Sequence, residues 1–108
     1  MSIEQTAKTA LETLFPGQPI VEPDHEEWLV YLNGRSVSLF YSGYNEMWYA
    51  TITSLTSPDV HVTNSPGEKD PLTAICNATN EYRKVVTRNY AIAKAAYDYV
   101  ISDDIKTA

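Results

Sequence analysis

Apolar residues keep two rhythms along this chain, a helical one at each end and an alternating one in the middle. From the start, Ile3, Ala7, Ala10, Leu11 and Leu14 recur three or four positions apart, which predicts an amphipathic helix. Ser2 followed by Gln5 is a capping-box pattern at its beginning, and Pro16-Gly17 ends it. Gln18 to Glu27 then holds two prolines and four carboxylates. That composition predicts a loop, with a short extended piece at Ile20-Val21.

The alternating rhythm begins at Trp28. Trp28 to Leu32 and Arg35 to Tyr41 flank Asn33-Gly34, a two-residue hairpin signal that needs positive φ at both turn positions. Such a turn fixes the register. Leu32 faces Arg35, Val30 faces Val37 and Trp28 faces Leu39 on the more apolar face, which is the expected core face. Leu29, Tyr31, Ser36, Ser38 and Phe40 take the other. Ser42 to Glu46 predicts a second turn. Met47 to Leu55 predicts a third strand with Trp48, Ala50 and Ile52 inward and Tyr49, Thr51 and Thr53 outward. After a turn at Thr56 to Asp59, Val60 to Thr63 reads as a short fourth strand.

Asp70-Pro71 opens a second helix, with aspartate as N-cap and proline at the first helical position. Leu72, Ile75, Thr79, Tyr82, Val86, Tyr90, Ala93, Tyr97 and Val100 follow a helical period. Run without interruption from Pro71 to Ser102, this helix is about 48 Å long, against about 34 Å across a compact domain of this size. It therefore either breaks near Thr87 to Asn89 or projects and packs on a partner. In the unbroken case the surplus apolar stripe predicts a homodimer through the C-terminal helix. Ser102 to Ala108 is expected to fray. The fold class is α+β: one domain over residues 1–108, with an N-terminal helix, a four-stranded antiparallel meander and a long or broken C-terminal helix.

Charge narrows the partners. The chain has 108 residues, with fourteen acidic and eight basic ones, for a net charge of −6. Such a surface repels nucleic acid and favours a protein partner with a basic surface. Four carboxylates, Glu22, Asp24, Glu26 and Glu27, crowd one proline-marked loop and make a candidate acidic binding site. No secretion signal or membrane-spanning run is evident, so a cytoplasmic location is expected.

Candidate chemistry is sparse. His25 has carboxylate neighbours but lacks metal-ligand spacing, and His61 falls on a strand. Cys76, the single cysteine, lies beside Ile75 and is expected to be a buried, inert core residue. No phosphate loop, nucleophile elbow or metal set appears, so neither an enzyme nor a cofactor is expected. Aromatic residues are more informative. Eight of the twelve are tyrosine, and five of the twelve fall between Phe40 and Tyr49. Alternation sends Tyr31, Phe40 and Tyr49 outward and leaves Tyr44 in a turn, giving a candidate aromatic binding surface unless a helix covers it.

The run from the hairpin through Met47-Trp48-Tyr49-Ala50-Thr51-Ile52 to Asp70-Pro71-Leu72-Thr73-Ala74-Ile75-Cys76 resembles short bacteriophage accessory proteins of the α-β-α sandwich kind. The likeness covers residues 28–82 and implies an accessory function with no shared catalytic residues. In size and acidity the chain is also similar to anti-defence inhibitors, including anti-CRISPR proteins. The expected function is a non-enzymatic binding protein that occludes a basic site on a macromolecular partner. A small-molecule or nucleotide binder using the same aromatics is the alternative, and a small enzyme the third.

Overall fold

Capping defines the first element. The Ser2 hydroxyl accepts the Gln5 N–H at 3.0 Å, and helix α1 (Ile3–Leu14) follows. At its far end the Phe15 N–H returns to the Leu11 carbonyl at 2.8 Å, and Gly17 turns the chain away with φ +82°. The computed structural model describes residues 2–24, 26–57 and 60–107, with the backbone alone for 99–107. His25 lies outside the described residues. One face of α1, through Ala7, Ala10 and Leu11, is buried.

The middle of the chain is an antiparallel meander in sequence order: β1 (Val21–Asp24), β2 (Glu27–Leu32), β3 (Arg35–Ser42), β4 (Met47–Ser54) and β5 (His61–Thr63). Leu32 pairs with Arg35, Val30 with Val37 and Trp28 with Leu39, the register expected of a two-residue turn at Asn33-Gly34. Gly34 takes φ +79°, but Asn33 does not take the positive φ expected of it, so glycine alone supplies the left-handed position. Trp28, Val30, Val37, Leu39, Trp48, Ala50 and Ile52 form the buried face. Trp48 lies tilted against Trp28 and Tyr41, with ring centroids 6.4 and 4.9 Å away.

The sheet has five strands rather than the expected four. The extra one, β1, lies within the segment expected to be a loop. Its pairing explains why alternation missed it. Val21 stands opposite Leu29 and Asp24 opposite Glu27, so an irregularity between them puts both on one face although they are three apart. Pro23 is tolerated because β1 is an edge strand.

Helix α2 (Pro71–Thr107) is continuous, without the break expected near Thr87 to Asn89, and its backbone stays helical through residues expected to fray. The Asp70 carboxylate caps it, accepting from the Thr73 N–H and hydroxyl at 3.0 and 2.9 Å. No glycine or proline occurs after Pro71 to stop it. At 37 residues it is about 55 Å long. The molecule measures 67 × 28 × 21 Å, and its radius of gyration of 17.9 Å exceeds the roughly 13 Å of a compact chain of this length. The size argument for a break assumed compactness; the helix projects instead.

Ala74, Ile75 and Ala78 of α2 pack with α1 onto the same sheet face, and Pro71 is buried at the start of α2. The molecule therefore has two layers, helices on one side and an open sheet on the other. Cys76 is exposed, contrary to expectation. One residue of helix turns it about 100° away from Ile75, off the stripe that reaches the sheet. A thiol reagent is accordingly expected to label Cys76 rapidly in the native protein; protection until global unfolding would contradict this placement.

Candidate functional site

The face of the sheet away from the helices is uncovered, and strand register arranges its side chains in rows. One row runs Asp24, Glu27, Phe40, Tyr49 across four strands. A second runs Val21, Leu29, Ser38, Thr51, Thr63, and a third Tyr31, Ser36, Thr53, His61. The β1–β2 side thus carries carboxylates and large apolar groups. The β4–β5 side carries hydroxyls, with Thr51 and Thr63 in contact through their Oγ1 atoms at 2.6 Å.

Of the aromatics expected on this surface, Tyr31 is 54% exposed, Phe40 42% and Tyr44 99%. No helix covers them. Tyr44 sits in the β3–β4 turn, where Glu46 takes φ +55°. Tyr49 is half-buried. Its ring lies against Gly67, and its hydroxyl accepts from the Asn45 Nδ2 at 2.8 Å, so it forms a fixed wall of the row.

Two of the acidic residues, Asp24 and Glu27, join the same surface, while Glu22 lies near Lys8 of α1 and helps to raise its pKa. Glu22 and Asp24 lie exposed on β1, and Glu26 occupies the following turn at φ +60°. The Glu26 carbonyl accepts the Tyr41 N–H at 3.0 Å, which ties this turn to the end of β3. Glu27 is half-buried in the row, and its Oε1 accepts from the Ser38 hydroxyl at 2.8 Å. Asp24 and Glu27 therefore share one end of the open sheet face with Phe40 and Tyr49, while Tyr31 stands at the other end of that face.

Two features escaped sequence reasoning. Asn64, just past β5, is buried at 2% exposure, and its side chain extends the β4 pairing beyond the strand. Its Oδ1 accepts the Ala50 N–H at 2.6 Å and its Nδ2 donates to the Trp48 carbonyl at 3.3 Å. A polar residue beside serine and proline reads as ordinary loop chemistry, so no sequence signal marked it. The second feature is a pair of adjoining grooves along α2, of about 370 and 210 Å³, both lined by Arg35 and Arg83.

His61 is exposed on the third row, beside Thr53. Among the described residues no three His, Cys, Asp or Glu side chains gather as metal ligands, and no helix is long and apolar enough to cross a membrane. No protein-family model, no curated protein and no solved structure matches this chain, so its function has to be argued from its own surface.

Proposed function

We propose that this chain is a non-enzymatic binding protein that occludes a basic site on a macromolecular partner with the acidic and aromatic end of its open sheet face. The observation that carries this reading is the row Asp24, Glu27, Phe40, Tyr49, which joins two candidate surfaces into one. Each half has a distinct task. Carboxylates of Glu22, Asp24, Glu26 and Glu27 steer a basic surface into encounter and reject acidic ones. Phe40 at that end, Tyr44 in the β3–β4 turn and Tyr31 across the same face supply large contacts of the kind that dominate interface energies once water is excluded. Half-buried Glu27 and Tyr49 are held by their hydrogen bonds and lose little freedom on binding. The resemblance of residues 28–82 to phage accessory proteins favours a host defence or nucleic-acid-handling protein in the host cytoplasm as the partner.

The two halves predict different kinetics. Neutralising Glu22, Asp24, Glu26 and Glu27 together is expected to slow association about 10-fold or more at low salt, and the difference is expected to vanish at high salt. Tyr31→Ser with Phe40→Ser is expected to speed dissociation at all salt concentrations while leaving stability within about 0.5 kcal/mol, because both side chains are exposed. The assay is retention of host-lysate proteins on the immobilised chain, followed by association kinetics with the retained protein. A partner held equally well by wild type and both variants would sink the proposal.

A further inference from the structure

Beyond Val86 helix α2 leaves the sheet, and every residue from Thr87 to Asp98 is exposed. Its surface there is not that of a solvated arm. Val86, Tyr90, Ala93 and Tyr97 follow at steps of four, three and four, the spacing of a helix-pairing seam. Tyr90 is 68% exposed and Tyr97 66%.

The seam continues into the folded body. Thr79, Arg83 and Val86, on the same helical face, line the 210 Å³ groove together with Arg35. The larger groove beside it adds Phe15 and Ile75. Neither Arg35 nor Arg83 has an ion-pair partner among the described residues, in a chain of net charge −6. A continuous apolar track thus ends at two unpaired guanidinium groups.

Charge along the helix selects what lies on this track. Its nearer part carries Arg83, Lys84, Arg88 and Lys94 against Glu81, and its farther part Asp98, Asp103 and Asp104 against Lys106, so the two parts are net basic and net acidic. A copy running the opposite way brings its acidic end beside this basic part. A copy running the same way sets arginine beside arginine. If the two helices cross at Ala93, residue 83 of one stands level with residue 103 of the other. Ala91, Ala93, Ala95 and Ala96 lie around that crossing and let the backbones approach closely.

We infer that two copies of this chain pair their α2 helices antiparallel about a two-fold axis near Ala93, with the acidic end of each helix laid along the arginine-lined groove of the other. Two tyrosines per copy, each about two-thirds exposed, together with the covered grooves account for roughly 1,000 Å² of buried surface, the lower bound for a stable interface. This pairing uses the helix arm and leaves the open sheet face free, so it stands or falls separately from the proposed function.

Sedimentation equilibrium of the full chain at tens of micromolar is expected to give twice the 12.1 kDa chain mass. Tyr90→Glu with Tyr97→Glu is expected to give the monomer with unchanged circular dichroism, since both side chains are exposed. Cross-linking reports the direction. In a Cys76→Ser background, Ala93→Cys is expected to form a disulfide-linked dimer. Val86→Cys is not, because an antiparallel pair holds those positions about 21 Å apart, while a disulfide spans at most about 7 Å between Cα atoms. A wild-type monomer up to 100 µM, or equal cross-linking at both positions, would overturn the inference.

Discussion

Replacing Asn64 by leucine is expected to lower the melting temperature by roughly 10–20 °C. The reason lies where β5 ends and β4 does not. Strand pairing with β5 stops at Thr63 and the next backbone bridge is Trp48 to Glu68, which leaves the β4 backbone at Ala50 without a strand opposite it. The Asn64 carboxamide replaces the missing strand: it accepts the Ala50 N–H at 2.6 Å and donates to the Trp48 carbonyl at 3.3 Å, while its own N–H donates to the Ala50 carbonyl at 3.2 Å. Leucine keeps the volume and loses the side-chain bonds to Ala50 and Trp48, with a third, long one to the Pro66 carbonyl at 3.5 Å. A buried amide left unpaired costs about 1–3 kcal/mol. With the two longer bonds that Nδ2 donates included, about 2–3 kcal/mol is expected, at roughly 4–8 °C per kcal/mol for a domain of this size. Hydrogen exchange adds a local reading, because the Ala50 amide is expected to lose protection in the variant. Thr63→Val breaks only the exposed hydroxyl contact with Thr51 and is expected to stay within about 0.5 kcal/mol of wild type. A shift under 3 °C for Asn64→Leu would show that the carboxamide is dispensable.

Asn64 also marks a limit of what the sequence makes legible. The β2–β3 hairpin and its register were legible because Asn33-Gly34 admits few turn geometries, and the core face followed from alternation. The fifth strand was not. Its bulge breaks the two-residue period between Val21 and Asp24, and Pro23 with its carboxylate neighbours is what a loop also looks like. Helix α2 was legible in its cap and stripe, but its continuity depended on whether a small chain must be compact, and that is not a local property. Cys76 was misplaced because a helix one residue out of phase points elsewhere. Alternation identified Tyr31 and Phe40 as outward-facing, while their exposure depended on both helices choosing the opposite face. Glu27 opposite Phe40 already follows from the hairpin register, but Asp24's place in the row required the β1 pairing and became visible only in three dimensions.

Two glycines are expected to fail for different reasons when substituted, and the contrast tests the wall of the proposed binding row. A Cβ at Gly34 would meet open space, but the residue holds φ +79°, where L-residues are strained. Gly34→Ala is expected to cost about 1–2 kcal/mol, and Gly34→Asn less, because asparagine tolerates that conformation. Gly67 has no such backbone constraint. A Cβ there would meet Tyr49 Cζ at 2.6 Å, the Tyr49 hydroxyl at 2.9 Å and Met47 Cβ at 2.8 Å. The loop around Gly67 cannot retreat freely, since the neighbouring Glu68 exchanges backbone hydrogen bonds with Trp48 at 2.6 and 3.0 Å. Overpacking of this kind costs about 1–3 kcal/mol, and Gly67→Val is expected at the upper end, a loss of roughly 15 °C. Asparagine brings no relief at Gly67, which separates a steric requirement from a conformational one. In a Tyr49→Ala background the ring contacts are gone while Met47 stays in the way, so Gly67→Ala is expected to cost measurably less there than in wild type. The four-variant cycle, read by thermal melts, gives that coupling directly. If Gly67→Ala melts within 2 °C of wild type, the Tyr49 ring is free to move, and the row Asp24, Glu27, Phe40, Tyr49 loses its fixed wall.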